Sequence, residues 1–294
     1  MRFDLRGELL RQEPMSRHTS WRVGGPADSY YRPADAADLA AFLGQLSPDE
    51  PLTWLGLGSN LLVRDGGIRG TVIATQGRLD ALGLMDGQRV RAEAGVACAH
   101  LARFCVKAGL CGLEFLAGIP GTVGGALRMN AGAFGGETWA ALVEVETLSR
   151  SGEIRRRTPA EFEVAYREVR GPEGEWFLAG VWQLMVGDAL AGQEAIRALL
   201  KRRSETQPTT EASCGSVFRN PPGDHAGRLI EAAGLKGHCL GGACVSTKHA
   251  NFIINRGQAR AAEIEALIDE VRARVLERFG IALVSEVHIL GEAA

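Results

Sequence analysis

Apolar positions along the chain switch between helical and strand spacing several times. Leu39, Phe42, Leu43 and Leu46 follow the polar stretch 35–38 and predict a short helix. Short apolar runs at 52–55, 61–64 and 71–74 predict strands, and 89–96 predicts another. Leu101, Phe104, Cys105 and Ala108 return to helical spacing, closed by Gly109. The runs 143–150 and 153–157 flank Ser151-Gly152, a hairpin signal. A strand at 176–186 and a helix at 193–203 follow. Residues 204–213 are polar and contain Pro208, which places a domain boundary there. Beyond it, 228–233 predicts a short helix stopped by Gly234, and 251–255 a strand. Ile264, Leu267, Ile268, Val271, Val275, Leu276 and Phe279 trace one helix face before the stop at Gly280. The last strand, 282–290, alternates: Leu283, Val287 and Ile289 face a core, and Glu286 and His288 face away from it.

Bulk properties narrow the class. A chain of 294 residues is long enough for two or three compact units. A net charge of −2 provides no broad basic surface and argues against nucleic acid as a partner. No run of about 18 apolar residues is present, so no membrane span is expected. The stretch 1–15 is charged and lacks an apolar centre, unlike a signal peptide. The six cysteines, at 98, 105, 111, 214, 239 and 244, form no C-x-x-C, and the six histidines form no H-E-x-x-H. The expectation is no metal, reduced and mostly buried thiols, and a cytoplasmic protein, with a monomer favoured. Cys214 reads as a small packing residue rather than a reactive thiol.

Residues 112–135 change the picture. Seven glycines fall in this run, ordered Gly118-x-x-Gly121-x-x-Gly124-Gly125. That is neither G-x-G-x-x-G nor a P-loop. Such a backbone either lies close against a large flat ligand, offering N–H groups to phosphates, or forms a tight packed loop. The glycines by themselves leave both readings open. A second turn, Gly56-Leu57-Gly58-Ser59-Asn60, runs into the apolar residues 61–63 rather than into a helix, which disfavours a Rossmann unit. Ser59 and Asn60 suit a pyrophosphate. A third turn contains Val23, Gly24 and Gly25. Three glycine turns from distant parts of one chain suggest one ligand of dinucleotide size.

The order T-S-W-R-V-G-G-P-A at 19–27, G-L-G-S-N-L-L-V-R-D-G-G at 56–67 and G-I-P-G-T-V-G-G-A-L-R-M-N-A-G-A at 118–133 resembles the flavin domain of the UDP-N-acetylenolpyruvoylglucosamine reductase family. A-Y-R at 165–167, C-G-S-V-F-R-N-P at 214–221, G-L-K-G at 234–237, S-T-K-H-A-N-F at 246–252 and S-E-V-H-I-L-G at 285–291 resemble the same family in its order. Few polar residues precede Cys214 and no tyrosine-bearing insertion is visible, which is similar to the shorter, second type of that family. The resemblance implies an α+β protein. Residues 1–203 would form an FAD-binding domain of the vanillyl-alcohol oxidase/p-cresol methylhydroxylase type, with lobes of about 1–75 and 76–203. Residues 204–294 would form an α+β substrate-binding domain.

It further implies noncovalent FAD, NADPH as co-substrate, and reduction of UDP-N-acetylglucosamine enolpyruvate in cell-wall synthesis. The cofactor residues would be Val23, Gly24, Gly25, Gly56, Gly58, Ser59, Asn60, Gly118, Ile119, Pro120, Gly121, Thr122, Gly124, Gly125, Asn130, Ala131 and Gly132. Arg167 would hold the substrate carboxylate with a bidentate fork. Glu286 would donate a hydrogen bond, which requires its protonated form. Ser216 would give the proton. Tyr166, Asn220 and Lys236 would contact the sugar nucleotide. His288 departs from the family pattern, where an arginine is usual. Unaided by the resemblance, Arg167 reads as a surface arginine among Glu161, Glu163, Glu168 and Arg170, and Ser216 as a turn serine. Two other classes remain as alternatives: a flavin oxidase of the same fold, commonly with covalent flavin, and a non-enzymatic nucleotide-sugar binder. The first is disfavoured because no histidine lies at 56–65 or 118–125, and the second because Arg167, Ser216 and Glu286 occur together.

Overall fold

In the computed structural model, residues 5–294 are described, and residues 1–4 of the stretch expected to lack a leader lie outside them. Two compact units emerge, and neither is a continuous length of chain. One takes residues up to Leu10, Tyr30–Leu57 and Gly70–Lys201; the other takes Arg11–Ser29, Gly58–Arg69 and Arg202–Ala294. The change at Lys201/Arg202 lies near the expected boundary at 203/204. The earlier segments 11–29 and 58–69, which a linear division leaves with the first domain, group with the C-terminal residues.

Two sheets carry most strands of the first unit, although residues 11–14, 26–29 and 68–69 of the first sheet group with the second unit. In one, strands run in the order Glu8–Pro14, Pro26–Arg32, Ile68–Ala74, Leu52–Leu55, and the last two are parallel with Leu52 opposite Thr71. Tyr31, Leu39, Phe42, Leu43, Ile73 and Leu79 form its core. The expected helix is present as Ala36–Leu43, with the Asp35 carboxylate accepting the Asp38 N–H at its start. The other sheet is antiparallel, in the order Ile154–Arg157, Leu142–Ser149, Glu175–Gln183, Arg89–Glu93, Leu82–Met85. Its first two strands are the expected hairpin around Ser151-Gly152. Helices Cys98–Lys107, Val123–Met129 and Ala189–Thr206 supply Leu101, Ala126, Leu127 and Ile196 to its core. Indole N–H groups of Trp139 and Trp182 donate to the Leu127 and Thr138 carbonyls at 2.8 Å, so these large rings are buried without an orphan donor.

The second unit packs helices Ala226–Ala232 and Ala261–Phe279 with an antiparallel sheet in the order Cys239–Leu240, Ala243–Val245, Ile253–Asn255. A separate parallel pair joins Leu61–Val63 to His288–Leu290, with Leu61 opposite His288. Trp21, Val23 and Leu62 belong to this core, and the Trp21 indole donates to the Ile253 carbonyl at 2.7 Å. Ile264, Leu267, Ile268, Val271 and Val275 of the long helix are buried as expected. Leu276 is not: it lies about 100° around the helix from Val275 and is 48% exposed. Gly280 ends the helix in the left-handed region, φ 67°, its N–H on the Leu276 carbonyl. The helix start is held by Asp65, whose carboxylate oxygens accept the N–H groups of Ala261 and Ala262 at 3.0 Å. Next to it, the Arg64 guanidinium grips Glu265 at 2.7 Å.

The expectation of reduced thiols throughout is corrected in this unit. Cys239 and Cys244 are joined by a disulfide, and they sit directly opposite each other on neighbouring antiparallel strands. A five-residue spacing reaches across a tight hairpin, a geometry that a search for C-x-x-C does not detect. The other four cysteines are free thiols, three of them buried.

Candidate functional site

Within the first unit the glycine-rich run is only partly a loop. Residues Glu114–Gly118 form a 3-10 turn, and Val123–Met129 is an α-helix despite its paired glycines. Tertiary pairing overrides their low helix propensity: the Val123 and Gly124 N–H groups donate to the Val96 and Ala94 carbonyls, both at 2.8 Å, and Gly121 accepts from the Cys98 N–H at 3.0 Å. Those two amides therefore hold the loop to its own sheet rather than point to a phosphate. Gly124 is also a packing glycine, since a Cβ there would lie 2.9 Å from the Ala94 methyl. Gly125 differs. A Cβ at Gly125 would meet only the Thr122 hydroxyl, at 3.9 Å. The Thr122 hydroxyl is itself buried and has no hydrogen-bond partner among the described residues. Gly56 comes close to the same hydroxyl, so close that a Cβ at 56 would strike it. An orphaned buried hydroxyl beside an open glycine face is the pattern of a surface shaped for a polar ligand. The FAD expected here fits this observation.

The last residues of the run serve a neighbour. Asn130 ends the helix at φ 39°, in the left-handed region that asparagine tolerates. Its side chain is buried; it donates to Glu137 at 3.0 Å and to the Ala165 carbonyl at 3.3 Å, and accepts from the Trp139 N–H. The carbonyls of Asn130 and Gly132 then accept from the Arg167 guanidinium, at 3.3 and 2.5 Å. Arg167 has φ 58°, at the turn between strands Glu163–Ala165 and Glu168–Arg170, and its guanidinium lies 5.0 Å from the Tyr166 ring centre. The surface-arginine reading does not hold. Arg167 is tied to the glycine-rich run, while Tyr166 is 47% exposed. The approach of Arg167 to Asn130 and Gly132 is not visible in the sequence, because 37 and 35 residues separate them.

Within the second unit the other two glycine turns pack on each other's backbone. Gly24 has φ 124° and abuts Val63; a Cβ on Gly25 would collide with the Asp65 carbonyl, and one on Gly58, φ 67°, with the His18 carbonyl. Gly25 N–H donates to the Arg64 carbonyl at 3.0 Å, and Ser20 N–H to the Gly58 carbonyl at 3.0 Å. Val23 is buried in the core. The Asn60 side chain donates to the Glu286 carbonyl at 3.0 Å, and its own carbonyl accepts from the His288 N–H at 3.1 Å. So Asn60 fixes the strand that carries Glu286. Cys214 is buried with its thiol 3.4 Å from the Leu61 carbonyl, and burial pushes it up to about 12. That is the inert packing cysteine expected.

The segments that carry Ser216 and Glu286 are joined by backbone pairing. Glu286 N–H donates to the Val217 carbonyl at 2.8 Å, Arg219 N–H to the Val284 carbonyl at 2.9 Å, and Phe218 bridges Ser285. Val287 is buried and Glu286 half-buried, as the alternation requires. Ser216 is half-buried and follows Gly215, which has φ 74°. Asn220 and Lys236 have internal roles as well. The Asn220 side-chain oxygen accepts the Ala226 N–H at 3.1 Å, at the start of its helix, and the Lys236 ammonium lies 2.8 Å from Glu231. His288 is exposed. Burial, then the Lys236 charge, holds the His249 imidazole below its ordinary value. Among the described residues, no group of three His, Cys, Asp or Glu side chains could hold a metal, and no helix is long and apolar enough to cross a membrane.

Known proteins resemble the chain over both units. The family model for an FAD binding domain matches residues 27–158, and that for the UDP-N-acetylenolpyruvoylglucosamine reductase C-terminal domain matches residues 207–290. The chain is 64% identical to a UDP-N-acetylenolpyruvoylglucosamine reductase of Alkalilimnicola ehrlichii, over 98% of this chain and 96% of that one. It is 62% identical to the protein of the same name from Methylococcus capsulatus, over 98% and 95%. The crystal structure of such a reductase from Thermus caldophilus matches with a TM-score of 0.82 at 34% identity, covering 97% of this chain and 98% of that one. The α+β architecture expected from the sequence, with an FAD binding domain and the C-terminal domain of the reductase family, is the one observed.

Proposed function

Since the chain belongs to the UDP-N-acetylenolpyruvoylglucosamine reductase family, FAD-dependent oxidoreductases of peptidoglycan synthesis, we propose that it reduces the enolpyruvyl group of UDP-N-acetylglucosamine enolpyruvate with NADPH, giving UDP-N-acetylmuramate. Noncovalent FAD, when bound, would supply hydride transfer between NADPH and the terminal methylene carbon of the substrate. The glycine face at Gly125 and the Thr122 hydroxyl support a cofactor seat in the first unit.

As hydride arrives, charge moves into the substrate carboxylate. The chain's task is to hold that charge and then supply one proton. Arg167 neutralises the carboxylate with its planar fork, which its bonds to the Asn130 and Gly132 carbonyls hold in orientation. Glu286, as the neutral acid, donates a hydrogen bond to the same group. The Ser216 hydroxyl gives its proton to the carbon bearing the ether oxygen, completing addition across the double bond. The single observation that supports this division best is the pairing of the Ser216 and Glu286 segments through the Glu286 N–H and the Val217 carbonyl. In this reading residues 204–294 receive the sugar nucleotide, with Asn220, Lys236 and Tyr166 of the first unit as contacts. Lys236 would then exchange Glu231 for a diphosphate.

The two half-reactions test the reading. The purified protein should be yellow, be bleached by NADPH, and regain its colour without oxygen when the enolpyruvyl substrate is added. Acid precipitation should release all flavin. In Ser216→Ala, bleaching should stay near normal and reoxidation by substrate should fall by roughly 10²–10⁴-fold or more. Arg167→Lys should also slow only the second half, because a point charge replaces a fork. Equal slowing of both halves in Ser216→Ala, or of neither, would remove Ser216 as proton donor.

A further inference from the structure

We propose that Asn251 is a positioning residue for Ser216, acting through the backbone of Val217 and Phe218; this rests on the reductase reading above. The segment 217–219 has two edges. On one edge the partners are the Glu286 N–H and the Val284 carbonyl. On the other, the partner is almost wholly one residue. The Val217 N–H donates to the Asn251 carbonyl at 2.9 Å, the Phe218 N–H donates to the Asn251 side-chain oxygen at 3.0 Å, and the Asn251 side-chain NH2 donates to the Phe218 carbonyl at 2.8 Å.

The regular strand on this side begins only at Ile253. The Asn251 side chain therefore stands in for two residues of missing strand. A carboxamide offers one acceptor and one donor in a plane, as a peptide group does. It is 4% exposed, so without it the Phe218 N–H and carbonyl would lose their partner away from water. The clamp is itself braced. The His249 ring nitrogen accepts the Asn251 N–H at 3.2 Å, and the buried Ser246 hydroxyl accepts the Lys248 N–H at 3.1 Å.

Ser216 has no comparable hold on its other side. Gly215 is in the left-handed region, and a Cβ there would meet nothing within 4 Å. Placement of the Ser216 hydroxyl is thus set from Val217 onward, by Asn251 on one edge and Glu286 on the other. A displacement of about 1 Å at a reacting group costs on the order of 10²-fold in rate. Loss of the clamp should reach proton delivery and leave hydride uptake from NADPH alone.

The test measures both half-reactions in the FAD-loaded protein, first in the wild type. If substrate does not reoxidise the wild-type flavin, the reductase reading and this inference fall together. If it does, Asn251→Ala should be bleached by NADPH within about twofold of wild type and be reoxidised by UDP-N-acetylglucosamine enolpyruvate on the order of 10²-fold more slowly. Asn251→Asp gives a sharper readout and stands in if the alanine variant fails to hold FAD. Its carboxyl can accept from the Phe218 N–H and donate to the Phe218 carbonyl only when protonated. Reoxidation should therefore decline as pH rises through a carboxyl pKa lifted by burial, a limb added to the one that ionisation of Glu286 gives the wild type. Wild-type reoxidation in either variant, equal slowing of both halves, or no added pH limb in Asn251→Asp overturns the inference while leaving the reductase reading intact.

Discussion

Two glycine-rich regions of this molecule look alike as sequence and differ as structure. At Gly24, Gly25 and Gly58 the missing side chains are filled by the protein itself: Val63, the Asp65 carbonyl and the His18 carbonyl occupy the space. At Gly125 the space is left open, bordered by a buried hydroxyl with no partner among the described residues. The first kind of glycine lets two turns interlock; the second leaves room for something that is not protein. A count of glycines cannot separate them, and replacement by valine can.

The largest effect is expected at the interlocked turns. Gly58→Val puts a β-branched residue at φ 67° and drives it into the His18 carbonyl, a strain of roughly 2–6 kcal/mol when backbone and overpacking costs are combined. The melting temperature of the flavin-free protein should drop by roughly 5 °C or more, and flavin should be lost with the fold. An unchanged melting temperature would show that the two turns do not interlock. Gly125→Val should reverse the pattern. Valine is the better helix former, so the flavin-free protein should melt near the wild-type temperature. Its flavin content should fall roughly tenfold or more, because the branched side chain enters the open face. Full flavin occupancy in Gly125→Val would place the cofactor elsewhere.

A smaller effect is expected from Thr122→Val, which removes the orphaned hydroxyl at nearly constant volume. FAD should bind more weakly by about 1 kcal/mol, several-fold in affinity, with stability of the flavin-free protein unchanged or slightly raised. Titration calorimetry of the flavin-free protein with FAD measures this; equal affinity would mean that the hydroxyl meets no ligand. The smallest effect belongs to Cys214. With its thiol pushed up to about 12, only about 10⁻⁴ of it is thiolate at pH 8. Iodoacetamide should label Cys214 in denatured protein and leave it intact in native protein. Labelling at the native rate of Cys111, which is partly exposed, would contradict the burial.

What could be read in advance followed from periodicity. Strand Leu52–Leu55, the hairpin around Ser151-Gly152 and the buried face of Ala261–Phe279 each carry a regular apolar pattern, and each formed as expected. Strand Glu8–Pro14 was missed because it is mostly exposed and does not alternate. Helix Val123–Met129 is not legible in the sequence because its two glycines oppose helix formation locally, and it is held by tertiary contacts, the Ala94 and Val96 carbonyls and the burial of Ala126 and Leu127. The candidate site divides in the same way. Arg167, Ser216 and Glu286 could be named from motifs. What Asn60, Asn130, Asn220 and Asn251 bind could not, since a carboxamide serves a backbone, a carboxylate or a ligand equally well and only the fold chooses.

The mixed composition of the second unit bears on how the chain is made. Trp21 donates to Ile253 across 232 positions, and Asp65 holds the start of a helix that begins at Ala261. During synthesis Trp21, Val23 and Leu62 leave the ribosome long before the residues that cover them, so this core closes last and through distant contacts. A gene fragment cut at residue 204 would therefore express a C-terminal piece lacking three of its core side chains and the carboxylate that anchors its longest helix. An N-terminal piece ending there would present Trp21 and Leu62 without the core residues from Cys214 onward that bury them, leaving apolar surface open to aggregation.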